Sequence, residues 1–165
     1  MEPRMTRERA AIEALARLDG RLPRTELIHR ALEGVLAITG AERATLFLLS
    51  PDRSALQAHT AAGAIVRPFL CEVGKGIVGA CFRSGAAMLI PDARLDPRFN
   101  PEIDHKMGFE TRSVIAVPLV EPGRGIVGVI EALSSTPGRF AEADQEVLSC
   151  FAAPILVALS VNDTF

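Results

Sequence analysis

The chain has 165 residues, a formal net charge of −2, 48% apolar and 23% charged residues, and three cysteines, with neither tryptophan nor tyrosine. A chain of that length buries roughly 70% of its unfolded surface, so it needs no disulfide or metal to hold a core, and its high apolar fraction with low net charge argues against disorder. The charge gives no basic footprint for nucleic acid, no apolar run nears the ~20 residues of a membrane span, and Glu2, Arg4, Arg7, Glu8 and Arg9 are wrong for a secretory signal; the expectation is a cytoplasmic protein, or a domain cut from one, with neither nucleic acid nor membrane as partner.

Residues 5–19 read as a helix, with Ile12, Leu15 and Leu18 at helical spacing and charged residues on the other side, broken by Gly20 and Pro23. A second helix is expected from Arg24 to Ala37, with Leu27, Ile28, Leu32, Val35 and Leu36 on one face and Gly40 as its stop. Residues 43–49 (RATLFLL) read as a strand too apolar for a wet face. The turn residues Ser50-Pro51-Asp52-Arg53 return it as a second strand over 55–60. Ala61 to Glu72 reads as less regular.

Gly74-Lys75-Gly76 opens a short helix over 77–83, closed by Gly85, and 87–90 forms a short strand ended by Pro91. A long stretch follows with one helix near 101–107, where Asn100 is a good N-cap and Pro101 suits the first helical position. Residues 112–120 and 125–133 read as a hairpin around Glu121-Pro122-Gly123-Arg124. The last helix spans 142–160, with Val147, Leu148, Phe151, Ile155 and Leu159 as its apolar face. Pro154 lies inside it and is expected to kink or split it, since proline lacks an amide donor and clashes with the preceding turn. Strands and helices do not alternate as βαβ units. The class is therefore α+β, a mostly antiparallel sheet with helices from both chain ends over one face.

Few residues make a recognisable chemical constellation. The Gly74–Gly79 run (GKGIVG) lacks the GxxxxGK[ST] order of a phosphate loop, though the first-turn amides of the helix it opens can receive an anion. His29, His59 and His105 fall in three separate elements without ligand spacing, so no metal site is expected. No GxSxG or paired nucleophile occurs, and no catalytic residue is assigned. Asp92 and Asp96 fit turn and cap roles better than an acid–base pair. Cys71, Cys81 and Cys150 are odd in number and have no CxxC spacing, which fits small buried residues rather than a disulfide framework. The Pro91–Asn100 stretch (PDARLDPRFN) is a long insertion between strands, and its residue types suit either a self-capped surface loop or a binding loop.

Five patterns occur in order: GKGIVGACFRSG, IPDARLDPRFN, DHKMGFETRSVIAVPLV, GIVGVIEAL and GRFAEADQEVL. Together they resemble the GAF domain, a small-molecule sensor module of signalling proteins. The resemblance implies a six-stranded antiparallel sheet, N- and C-terminal helices on one face, and a ligand pocket on the other roofed by 91–111. It divides the chain into an N-terminal helical extension (1–21), a GAF-like sensor domain (22–160) and a short tail (161–165). The sequence is most similar to the cyclic-nucleotide-binding members of phosphodiesterases and adenylyl cyclases. By that resemblance the ligand-binding residues are Ile77, Val78, Phe99, Asn100, Asp104, Met107, Thr111 and Glu131, and the regulatory ligand is cyclic GMP or cyclic AMP. Met107 stands where the family has a threonine. Of the family's Asn-Lys…Phe…Asp-Glu signature, Phe140 and Asp144 are present, a serine (Ser134 or Ser135) stands near the asparagine position, and Gln145 replaces the glutamate.

These readings predict a non-enzymatic regulatory domain, homodimeric through its terminal helices, that passes ligand binding to a downstream effector domain or protein. Two alternatives are a ligand-free dimerisation scaffold and a thiol-dependent redox enzyme using Cys71 or Cys81. The methionine-sulfoxide reductase branch of the family uses three cysteines. Here Cys71 and Cys81 lie upstream of its usual loop and Cys150 in the last helix, so catalysis is not expected.

Overall fold

Helical periodicity at both ends of the chain becomes three packed helices, two of them against the sheet. The computed structural model describes residues 3–62 and 65–164, with side chains described outside 3–5, 62, 65–69, 103, 106–107 and 163–164. Helix α1 is Pro3–Ala16, α2 Arg24–Thr39 and α5 Glu142–Thr164. The apolar residues expected on α2 and α5 turn inwards: Leu27, Leu32, Val35, Leu148 and Ile155 are all buried. Gly34 lets the helices meet, because a Cβ there would lie 2.7 Å from Cζ of Phe151 on α5. Helix α5 is neither split nor ended at Pro154; it runs on as one element to Thr164. Its Glu142–Asn162 stretch is long and apolar enough to meet the length and composition of a membrane span, beyond what the sequence reading allowed. In this fold Leu148, Phe151, Ile155 and Leu159 cover the sheet.

The sheet has six strands in the order β3-β2-β1-β6-β5-β4, every neighbouring pair antiparallel. The strands are β1 Arg43–Leu49, β2 Ala55–Ala62, β3 Ile65–Glu72, β4 Met88–Ile90, β5 Ser113–Glu121 and β6 Gly125–Ser134. The architecture is α+β, as the sequence indicates. One expectation is corrected: the stretch read as less regular contains β3, which pairs with β2 from Ala55↔Glu72 to Ala62↔Ile65. Pro68 masks it in sequence, yet β3 is an edge strand, where a missing amide need break no ladder bond.

Strand alternation divides the core in two. Ala44, Leu46, Ile115, Val117, Ile130 and Ala132 face the helices. Phe47, Val114, Ala116 and Val129 face the other way, against Ile77, Val78 and Cys81 of α3 (Gly76–Ser84) and Ala93. Both faces of β1 are therefore dry, as its sequence predicts. A 3-10 turn, Ala93–Leu95, and helix α4, Glu102–Met107, complete the second layer.

Side-chain contacts brace the ends. Glu42 accepts from the Ser134 hydroxyl (3.1 Å) and from the Ser135 amide (2.9 Å), tying the start of β1 to the end of β6. The Asp144 carboxylate accepts from the Ala141 amide (2.8 Å) and pairs with Arg7 of α1 at 2.8 Å.

Candidate functional site

The layer over the second sheet face does not fill it. A cleft of about 190 Å³ opens there. Its floor is Thr45 and Phe47 of β1, Val114 of β5, and Glu131 and Leu133 of β6. The N-terminus of α3 (Gly76, Ile77, Val78) forms one wall, and Phe99, Asn100, Asp104 and Thr111 form another. Leu70, Cys71, Glu72, Lys75 and Glu102 rim it.

The glycines of the GKGIVG run have a packing reason. A Cβ on Gly79 would lie 2.2 Å from the Gly74 carbonyl carbon, so α3 rests directly on the turn that precedes it. Arg83 on the last turn of α3 donates to the Gly74 carbonyl at 2.7 Å and holds that turn in place. No side chain caps the N-terminus of α3. Its positive end is thus left to face the cleft.

The Pro91–Asn100 insertion is both of the things its residues suggest. It caps itself: Asp96 accepts from Arg98 Nε at 2.9 Å and Nη2 at 2.6 Å, and Asn100 accepts from the Glu102 amide at 3.1 Å. It is anchored to the sheet where Asp92 takes a two-pronged contact from Arg112, at 2.9 and 2.7 Å. These guanidinium groups hold the Asp92 and Asp96 carboxyls below their ordinary range. Both carboxylates are neutralised locally, and the insertion still presents Phe99 and Asn100 to the cleft.

Two acids have opposite circumstances. Asp104 of α4 accepts from the Thr111 amide (2.7 Å) and hydroxyl (2.6 Å), with Arg94 at 3.5 Å. It closes the connection from α4 to β5 on itself. Glu131, 9% exposed, has no hydrogen-bond partner among the described residues. The nearest hydroxyl in cross-strand register, that of Thr45, is engaged with Thr60 at 2.9 Å. Burial first, and then the charge of Asp104, push the Glu131 carboxyl up to about 8. A buried acid without a donor is costly when ionised, so it keeps its proton.

Ile77, Val78, Phe99, Asn100, Asp104, Thr111 and Glu131 therefore surround one space. The side chain of Met107 lies outside those described. Thr45, Phe47, Val114 and Leu133 were not anticipated, although the alternation of β1, β5 and β6 with Glu131 puts them on its face. Lys75 was legible only as part of the glycine run; it stands at the rim, 3.1 Å from Glu72. The histidines remain apart: His29 pairs with Glu33 on α2, His59 lies on β2 and His105 on α4. Among the described residues no group of three His, Cys, Asp or Glu could hold a metal ion. Cys81 is buried, donates to the Ala86 carbonyl at 3.5 Å, and has its thiol pushed up to about 12 by burial and then by Glu131. Cys150 is exposed on α5, in the other layer.

The model of the GAF domain matches residues 23–159. The chain belongs to the GAF domain family. Dual 3',5'-cyclic-AMP and -GMP phosphodiesterase 11A of Takifugu rubripes is 32% identical over 167 residues, covering 93% of this chain and 18% of that protein. The chain thus spans less than a fifth of that relative. Among solved structures, the GAF domain of a phosphoenolpyruvate-protein phosphotransferase from Coxiella burnetii superposes with a TM-score of 0.83 at 14% identity, over 99% of this chain and 98% of that one. A free methionine-R-sulfoxide reductase from Neisseria meningitidis, solved in complex with its substrate, gives 0.81 at 16% identity, over 99% and 94%. At those identities the likeness establishes the fold. This GAF domain shares it with a GAF domain of a phosphotransferase and with a reductase.

Proposed function

We propose that this GAF domain is a regulatory sensor whose cleft binds a cyclic nucleotide. The observation that carries the reading is the pairing of two unmet demands across one cleft. The uncapped N-terminus of α3 wants an anion, and the Glu131 carboxyl, without a partner among the described residues, wants a hydrogen-bonding edge. A cyclic nucleotide offers both, a phosphate at one end and a purine base at the other. The 32% identical relative, a phosphodiesterase of cyclic AMP and cyclic GMP, supports the same ligand class. A cleft of about 190 Å³ is small against the roughly 300 Å³ where ligand pockets begin, so the roof must give on entry. Part of the roof is suited to that: around Asp96–Arg98 it is capped by its own side chains at the surface, while Ala93 anchors it in the core.

A regulatory rather than catalytic role is favoured by the thiols. A catalytic thiolate needs a lowered pKa, and Cys81 is displaced the other way. Alkylation of Cys71 at an ordinary rate near neutral pH, and of buried Cys81 far more slowly, is the expected result; a hyper-reactive thiol would favour the redox alternative. The terminal helices supply a homodimer surface through exposed Ile12 and Val157, from which a signal passes to an effector in the cytoplasm. Calorimetric titration with cyclic AMP, cyclic GMP and methionine sulfoxide tests the ligand class. Saturable binding of a cyclic nucleotide is expected. Binding of methionine sulfoxide alone, or of none, overturns the reading.

A further inference from the structure

Glu131 lies in mid-β6, in register with Thr45 of β1 and Ala116 of β5, and its carboxyl belongs to the cleft floor. No described residue satisfies it. The Thr45 hydroxyl is engaged by Thr60 and the Thr111 hydroxyl by Asp104. Among the described residues, the titratable and charged groups around it offer no counter-charge. Helix α4 brings Asp104 and, at the rim, Glu102; α3 brings the Cys81 thiol; β3 brings Glu72. β1 and β5 line the cleft with Thr45, Phe47 and Val114, none of which titrates near neutral pH. The nearby cations among the described residues are already matched, Lys75 by Glu72 and Arg94 by Asp104 and Glu110. A hydrogen-bond partner for this carboxyl is left for a ligand to supply.

Resting on the cyclic-nucleotide reading above, we propose that Glu131 sets which purine the cleft accepts, pairing with adenine when it carries its proton and with guanine when it does not.

The two forms present different patterns. A protonated carboxyl offers one O–H donor beside one C=O acceptor, whereas a carboxylate offers acceptors alone. The Watson–Crick edge of adenine is an acceptor, N1, beside the donor N6 amino group. It complements the protonated acid. The same edge of guanine is two adjacent donors, N1–H and the N2 amino group, and it complements the carboxylate. A mismatch leaves a buried polar group unpaired, which is the strongest form of rejection available to a binding site. Burial and Asp104 bring the Glu131 carboxyl up to about 8, so both forms are reached near neutral pH. Glu131→Gln carries a donor and an acceptor in the same shape as the protonated acid and does not titrate.

Cyclic AMP and cyclic GMP are titrated into the full chain and into Glu131→Gln between about pH 6 and about pH 9, a window in which single-proton linkage changes affinity by about tenfold per pH unit. In the unaltered chain, cyclic AMP affinity is expected to be level on the acid side and to weaken on the basic side. Cyclic GMP should do the reverse, so that the preference for adenine over guanine falls by about tenfold per pH unit. Glu131→Gln is expected to bind cyclic AMP independently of pH and to lose cyclic GMP. A preference that stays flat with pH overturns this inference and leaves the cyclic-nucleotide reading standing. Failure of both nucleotides to bind at any pH overturns the two together. Should the variant not fold, the pH series on the unaltered chain decides alone.

Discussion

Asp104 and Glu131 are both acids of the same cleft, and their surroundings give them different work. Asp104 is structural in the empty site. Asp104→Ala removes the acceptor for the Thr111 amide and hydroxyl, both buried. Leaving such donors unpaired costs about 1–3 kcal/mol. Urea unfolding is expected to show a loss of about 2 kcal/mol; an unchanged midpoint would show that water replaces the carboxylate freely. Glu131 is the reverse case, and its sign can be worked out. Its folded value, about 8, lies above the ordinary 4.5. Between those limits the native state holds a proton that the unfolded chain has released, so stability falls as pH rises through that window and levels off above it. Glu131→Gln cannot ionise. Its melting temperature relative to the unaltered chain is therefore expected to be near parity at about pH 4 and to climb until about pH 8. A difference that does not vary with pH would mean that Glu131 is ionised throughout. Sequence resemblance named both acids. It did not reveal their division of labour, because the Asp104–Thr111 bond spans seven residues and depends on how the chain turns between α4 and β5.

At the scale of elements, what repeats along the chain was legible and what depends on a neighbour was not. The periodic faces of α2 and α5 and the apolar run of β1 announce themselves because burial imposes their spacing. β3 does not, since Pro68 reads as a breaker and only its place at the sheet edge makes it acceptable. The GKGIVG run is the instructive case. Read alone it is a flexible turn; in the fold it is a tight contact, with Gly79 lying on the backbone of Gly74. A methyl group at 2.2 Å from a carbonyl carbon has no side chain to push aside. Gly79→Ala must lift α3 from the turn and strain the Arg83–Gly74 bond, with overpacking costs of about 1–3 kcal/mol. The expected outcome is a lower melting temperature together with weaker cyclic-nucleotide binding, because Gly76, Ile77 and Val78 move with the helix. Loss of stability with undiminished affinity would separate α3 from the site.

At the scale of the molecule, one sheet serves two layers. β6 presents Glu131 to the cleft and Ile130 and Ala132 to the helices. A ligand that pulls on Glu131 therefore acts on the strand against which the helix layer packs. That layer is tied together by Arg7–Asp144 between α1 and α5, and by Asn162, whose amide donates to the Leu22 carbonyl at 2.6 Å. It has few independent ways to respond. The outer side of the layer exposes Ile12 at 67% and Val157 at 63%, which are costly to leave in water and contribute little to the fold. If the homodimer forms there, ligand and partner share one equilibrium, and whatever factor the ligand adds to dimer affinity, the dimer adds to ligand affinity. Replacing both residues, Ile12→Asp with Val157→Asp, is expected to give a monomer in sedimentation. Its melting should fall only as far as the lost association accounts for, since exposed substitutions themselves usually change stability by less than about 0.5 kcal/mol. Cyclic-nucleotide affinity of the unaltered chain should then vary with protein concentration, and that of the double variant should not. A double variant that sediments as the unaltered chain does would move the interface elsewhere. A monomer with concentration-independent binding in both proteins would leave the dimer standing and remove its link to the cleft.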